Sequence, residues 1–158
     1  MKTNASLREL ADCSCFAVRR AARTITQHYD RHLRPSGLRV TQFTTLGVLS
    51  LFGPLPLTGL AERLATERTT VTRNLKLLLS RGLVTEFESD DRRVRTLAIT
   101  PRGTAAARSA LPYWRKAQAS LAEELGLRAI EGLQLAANGA TGLAARRRGS
   151  SRGPRKEA

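Results

Sequence analysis

The apolar positions of this chain fall into helical stripes everywhere but one stretch. Leu10, Ala17, Val18, Ala21, Ala22, Ile25 and Tyr29 recur at three- and four-residue spacing, the period of one helix face. Ser6-Leu7-Arg8-Glu9 has the form of a capping box, so a first helix is expected over 6–34, stopped by Pro35 and Gly37. Thr41 is read as the cap of a second helix carrying Phe43, Leu46, Leu49 and Leu51, which ends near Gly53-Pro54. Pro56-Leu57 leaves room only for a bridge, and Thr58 caps a short third helix with Leu60, Ala61 and Leu64. The turn Thr66-Glu67-Arg68 opens a fourth helix, whose stripe of Val71, Leu75, Leu78 and Leu79 faces a core. Gly82 is placed to end it in a left-handed cap.

The exception is LVTEFE and VRTLAIT, rich in Val, Thr, Phe and Ile, which read as two strands joined by SDDRR. Thr100-Pro101 then restarts a helix, with Thr as N-cap and Pro in the first helical position. Leu111, Trp114, Leu121 and Leu125 give it a sparse apolar seam, which Pro112 interrupts. Beyond Gly126 a last helix runs from about Leu127 towards Leu143, weakened by Gly132, Gly139 and Gly142. The fold class is therefore mostly α with a small β-hairpin. Four segments follow: 6–34, 41–100, 101–145 and 146–158.

Charge adds a partner. The chain carries 27 Lys and Arg against 13 Asp and Glu over 158 residues, a formal charge of +14, which favours polyanions. Residues 146–158, RRRGSSRGPRKEA, hold six of the basic residues and one acid; the composition reads as a disordered basic tail. No apolar run approaches the ~20 residues of a membrane span, and MKTNASLRELADCSCF lacks the apolar core of a signal peptide. A cytoplasmic protein without membrane contact is expected.

The fourth helix bears a second stripe. Thr69, Thr72, Arg73 and Lys76, with Thr70 beside them, lie opposite the apolar one. Two short helices, a tight turn and such a helix describe a helix-turn-helix, and the hairpin makes it winged. A solvated face has the same composition; the hairpin decides against it. In the major groove of double-stranded DNA an Arg donates two hydrogen bonds to guanine and a Thr meets the thymine methyl group. Lys76 suits a phosphate. Arg92, Arg93 and Arg95 on the ribbon suit a narrow minor groove. Asp91 is placed to steady Arg93 in advance, and Asp90 to cap the turn.

Residues 64–103, LATERTTVTRNLKLLLSRGLVTEFESDDRRVRTLAITPRG, resemble the MarR family of transcriptional regulators. The Gly-Leu-Val after the fourth helix, the Asp-Arg-Arg of the hairpin and the closing Leu-x-Ile-Thr-x-x-Gly carry the resemblance, which extends over most of 15–125. It implies a winged helix-turn-helix (41–100) flanked by long dimerisation helices (6–34 and 101–145), an obligate homodimer and a pseudo-palindromic operator. It further implies that Asp91 and Arg93 are the wing pair and that Arg73 belongs to the recognition helix. Such proteins are usually repressors released by a small phenolic or lipophilic effector, or by oxidation. An architectural DNA-binding protein without an effector switch is the alternative.

Cys13, Cys15, His28 and His32 read as C-x-C-x12-H-x3-H, close to a zinc-finger spacing. No Gly or Pro interrupts them, so all four are expected on one helix, with Cys15 and His28 roughly 20 Å apart; no metal site follows. Cys15-Phe16-Ala17 with Tyr29 resembles the peroxide-sensing branch of the family, in which a first-helix cysteine reacts and tyrosines stabilise its thiolate. Two of those tyrosines fall where this chain has Arg19 and Val40. Tyr29 could then serve Cys15 only from the partner subunit, and the ordinary role of a free cysteine is that of a small buried hydrophobe.

An enzyme is not expected. No Ser-His-Asp order, HExxH or Gly-rich phosphate loop occurs, and no cofactor is implied. Phe16, Phe43, Tyr113 and Trp114 are the aromatic candidates for a ligand cavity near the first two helices.

Overall fold

The computed structural model describes residues 12–88 and 95–150, with side chains through Gly142. In chain order these form α1 (Ser14–Leu33), a 3₁₀ turn (Arg34–Ser36), α2 (Val40–Phe52), β1 (Leu55–Pro56), α3 (Leu57–Arg63), α4 (Arg68–Ser80), β2 (Val84–Glu88), β3 (Arg95–Ile99), α5 (Pro101–Leu125) and α6 (Leu127–Ser150). They make two compact units, 1–118 and 119–158. The fold is a mostly helical winged helix-turn-helix with a small antiparallel sheet.

The helix ends follow local chemistry, with some corrections. Ser6 to Glu9, the expected start of the first helix, lie outside the described residues. Cys13 is the N-cap of α1, in an extended conformation, and not a residue on the helix as the unbroken periodicity implied. The helix stops where expected: Pro35 sits in the 3₁₀ turn, and Gly37 takes φ 71°, which suits a residue without Cβ.

Thr41 does not cap α2; Arg39 does. The freed backbone groups are met otherwise: Arg39 N–H donates to Gln42 Oε1 at 3.0 Å, and Val40 N–H to Asp30 Oδ1 at 2.7 Å. Gln42 thus caps the helix from its own first turn, and a carboxylate reaching from α1 meets a further free N–H. Thr58 likewise lies inside α3, whose N-cap is Pro56.

Gly82 at φ 65° ends the turn after α4 as expected. Thr100 does cap α5: its Oγ1 accepts Gly103 N–H at 3.0 Å and donates to Gly82 O at 2.8 Å. The last helix, α6, is described through Ser150. Residues 151–158 lie outside the described residues.

The sheet has three strands in the order β1-β3-β2, all antiparallel. The two-residue bridge Leu55-Pro56 pairs with Leu97 and Thr96 at the sheet edge, the position where proline is tolerated. Core packing in the first unit joins Leu33, Leu46, Leu49, Leu60, Val71 and Leu78, each at most 1% exposed. Leu51, expected to face inward, is 80% exposed; Val48 packs against the core in its place. Ala110 and Ala117 of α5 are fully buried, so this unit ends on small residues that let helices approach closely.

Candidate nucleic-acid interface

α4 divides cleanly. Val71, Leu75 and Leu78 are buried at 4% exposure or less, and Leu79 is half-buried. Thr69, Thr70, Thr72, Arg73 and Lys76 are all exposed. Burial of the apolar stripe against α2 and α3 therefore leaves an outward row of hydroxyls, a guanidinium and an ammonium. Thr72 Oγ1 donates to Arg68 O at 2.8 Å, which commits its proton to the backbone. The row carries donors and methyl groups of the kind that read base edges, and a cation for phosphate.

β2 and β3 pair from Val84↔Ile99 to Glu88↔Arg95, forming a two-stranded ribbon beyond the core. Val84 and Leu97 at its base are buried, whereas Glu86, Phe87, Glu88 and Arg95 are exposed. The tip, with Asp90, Asp91, Arg92 and Arg93, lies outside the described residues. Arg95 is described, and it has a partner: its Nη1 stands 3.3 Å from Glu86 Oε2. Sequence reading assigned the steadying of wing arginines to Asp91 and missed Glu86. Antiparallel registry sets Glu86 diagonal to Arg95, a relation that sequence order alone does not give.

The remaining candidates sit on α1. Cys15 is exposed and Cys13 partly so. Tyr29 is buried, and its hydroxyl donates to Gln118 Oε1 of the same chain; burial raises its pKa above the ordinary 10.0. Cys15 and Tyr29 are four turns apart on one helix and are not brought together within the protomer. His28 is also buried, with Nε2 3.1 Å from Ala117 O, and His32 Nδ1 lies 3.0 Å from His28 O. Among the described residues no three His, Cys, Asp or Glu side chains gather as a metal site.

The aromatic candidates are spread between core and surface. Phe43 and Trp114 stack at 6.1 Å and pack on the core, while Phe16 is 57% exposed. A cavity of about 320 Å³ opens elsewhere, between α1, α2 and α4, with Thr26, Thr44, Thr45, Thr70, Val71 and Asn74 in its wall. Small polar residues at helical spacing line it, a signal that a search for aromatics passes over.

A two-helix unit with an exposed polar and basic helix and an adjacent two-stranded ribbon defines a winged helix-turn-helix. Residues 36–93 match the model of the MarR family. The transcriptional regulator MosR of M. tuberculosis, solved in complex with DNA, is 43% identical, with a TM-score of 0.68 over 81% of this chain and 98% of that one. The transcriptional repressor CouR, bound to a 23-mer DNA duplex, is 26% identical, with a TM-score of 0.73 over 87% and 99%. YwoH of Bacillus subtilis (strain 168), an uncharacterized HTH-type transcriptional regulator, is 30% identical over 83 residues, 52% of this chain. The chain spans 61% of the length of that curated relative. The chain belongs to the MarR family of transcriptional regulators and is a DNA-binding protein of that class.

Proposed function

We propose that the protein is a repressor that binds a pseudo-palindromic operator as a homodimer in the cytoplasm and is released by a small-molecule or oxidative signal. The observation that carries this reading is the two-sided α4: its apolar stripe is buried and its Thr69, Thr70, Thr72, Arg73 and Lys76 stripe is open. In this reading Arg73 and the threonines read the major groove, Lys76 holds phosphate, and Arg92, Arg93 and Arg95 enter the minor groove, with Asp91 orienting Arg93. Among the described residues no helix is long and apolar enough to cross a membrane.

The dimer rests on apolar surface left open in the protomer. Phe16 and Val18 of α1 are 57% and 63% exposed, and Leu127 and Leu135 of α6 are 71% and 73% exposed. Burying such seams contributes roughly 25 cal/mol per Å². Selection of bound duplexes from a random pool, with sedimentation of the same sample, tests both parts. The expected result is a dimer on half-sites ~10 base pairs apart. A stable monomer at micromolar concentration overturns the dimer, and broad coverage without a motif points to an architectural protein.

The exposure of Cys15 favours oxidation as one release signal, since reactivity requires access. Organic hydroperoxide should then lower operator affinity of the wild type and of Cys13→Ser, but not of Cys15→Ser. Retained wild-type affinity, or equal loss in Cys15→Ser, removes the redox branch and leaves the small molecule.

A further inference from the structure

The turn between α1 and α2 carries a second hollow, an open groove of about 490 Å³ lined by Asp30, Arg31, Arg34, Gly37, Leu38 and Arg39. Three arginines against one aspartate leave its lining with an excess of positive charge. Arg31, Arg34 and Arg39 are exposed, and among the described residues no carboxylate stands within ion-pair reach of their guanidinium groups. The aspartate is already engaged: Asp30 Oδ1 accepts Val40 N–H at 2.7 Å. Like charges gathered in this way repel one another, and an anion in the groove relieves that repulsion.

The backbone that carries these arginines is held in place. Leu33 and Leu38 on either side of the turn are buried, and Gly37 N–H donates to Arg34 O at 3.0 Å. Arg81, at the end of α4, donates from Nη1 to Gly37 O at 2.8 Å, which brings a fourth guanidinium to the turn. The arginines therefore stand on ordered chain, and less ordering is required when an anion arrives. The groove also adjoins the start of α2, a 13-residue helix, and the first turn of a helix favours negative charge. Asp30 already places an anionic oxygen there.

We propose that this groove binds a free polyphosphate, a compact and multiply charged anion such as pyrophosphate or the phosphate chain of a nucleotide. A guanidinium pairs with phosphate through two parallel hydrogen bonds. Each phosphoryl group presents several oxygens, so one small polyphosphate can satisfy three arginines that lie within residues 31–39. The position argues for a free anion over the backbone of a bound duplex. Arg81 is set roughly 140° around an ideal helix from Lys76, so the groove lies on another side of α4 from the row of Thr69, Thr72, Arg73 and Lys76. The inference does not depend on dimerisation, repression or the release signal.

The probe is sodium pyrophosphate, titrated calorimetrically into the full chain at ~0.15 M salt, where loose surface attraction is screened. Binding is expected with Kd below about 1 mM, the weak end of ordinary small-molecule affinities. Arg34→Ala and Arg39→Ala, both at exposed positions, should each weaken it at least about five-fold, as loss of a charge-assisted hydrogen bond does. Arg34→Lys keeps the charge without the fork and should recover only part of the loss. The triple change Arg146→Ala/Arg147→Ala/Arg148→Ala removes more charge elsewhere and should alter affinity by less than about two-fold. Citrate, a polycarboxylate of similar charge, should bind more weakly than pyrophosphate. No binding at about 1 mM, citrate bound as tightly, or an equal loss in the triple variant overturns the proposal. A random-sequence duplex supplies the remaining arm. Arg34→Ala and Arg39→Ala should leave its slope of log affinity against log salt unchanged; a fall of about 0.9 for each would put the groove on the DNA backbone and overturn the proposal.

Discussion

Gly103 in the first turn of α5 lies so close to Leu83 that a Cβ on it would stand 2.0 Å from the Leu83 carbonyl oxygen. That oxygen also accepts Thr100 N–H at 3.1 Å, and the Thr100 hydroxyl joins Gly82 O to Gly103 N–H. The end of α4, the return strand and the start of α5 thus meet at one backbone contact. Gly103→Ala should lower stability on the order of 3 kcal/mol, the upper end of overpacking costs, because backbone must move. Gly47→Ala, in α2 with nothing within 4 Å of the added carbon, should instead be neutral or stabilising by up to roughly 1 kcal/mol. Urea unfolding of both checks the contrast.

Arg73→Ala should relax base preference at one position in each half-site, at a cost of ~1 to 3 kcal/mol for a bidentate contact. Lys76→Ala should weaken operator and random duplex alike. Fluorescence anisotropy on both duplexes distinguishes them: equal losses for Arg73→Ala would place its guanidinium on phosphate.

The ion pair of Arg95 with Glu86 is solvent-exposed, with side chains 73% and 32% accessible, so it should add little to stability, at most ~1 kcal/mol. Its effect should appear on DNA. Arg95→Ala should reduce the slope of log affinity against log salt by about 0.9 if the arginine meets a phosphate. Glu86→Gln should leave the slope unchanged and alter affinity only modestly, through the freedom given to Arg95. An unchanged slope in Arg95→Ala would show that this part of the ribbon stays off the duplex.

Tyr29 gives a prediction in pH. Burial raises its pKa above 10.0, so the folded chain holds the phenolic proton more tightly than the unfolded one. The associated stability is fully present below pH ~10 and is lost as pH rises through the folded value. Tyr29→Phe removes the bond to Gln118 Oε1 and should cost about 1 kcal/mol at neutral pH. It should also show a shallower alkaline decline. Denaturation midpoints at pH 7 and in the alkaline limb of the wild-type curve check both, and parallel declines would remove Tyr29 from the alkaline transition.

The helical stripes, the hairpin, Gly37 and Gly82 as stops, and Thr100 as a cap were all legible in the sequence because each rests on residues within a few positions of one another. Val71, Leu75 and Leu78 share a face by helical period alone, so the opposite row of Thr69, Thr72, Arg73 and Lys76 could be named before any fold was known. The match of short-range chemistry to position sufficed.

What the tertiary structure decided is what depends on residues far apart. Asp30 meets a free N–H of α2 from α1. Tyr29 meets Gln118, 89 positions away, which gives its hydroxyl a partner inside the chain and away from Cys15. The cavity of threonines gathers side chains from α1, α2 and α4; helical spacing relates those within one helix, and packing alone brings the three sets together. Glu86 lies between these cases, since its pairing with Arg95 follows only once strand registry is known. Local geometry is written in dihedral preference and hydrophobic period; caps, pairs and cavities across elements wait on packing, which brings distant polar groups together once apolar surface has been buried.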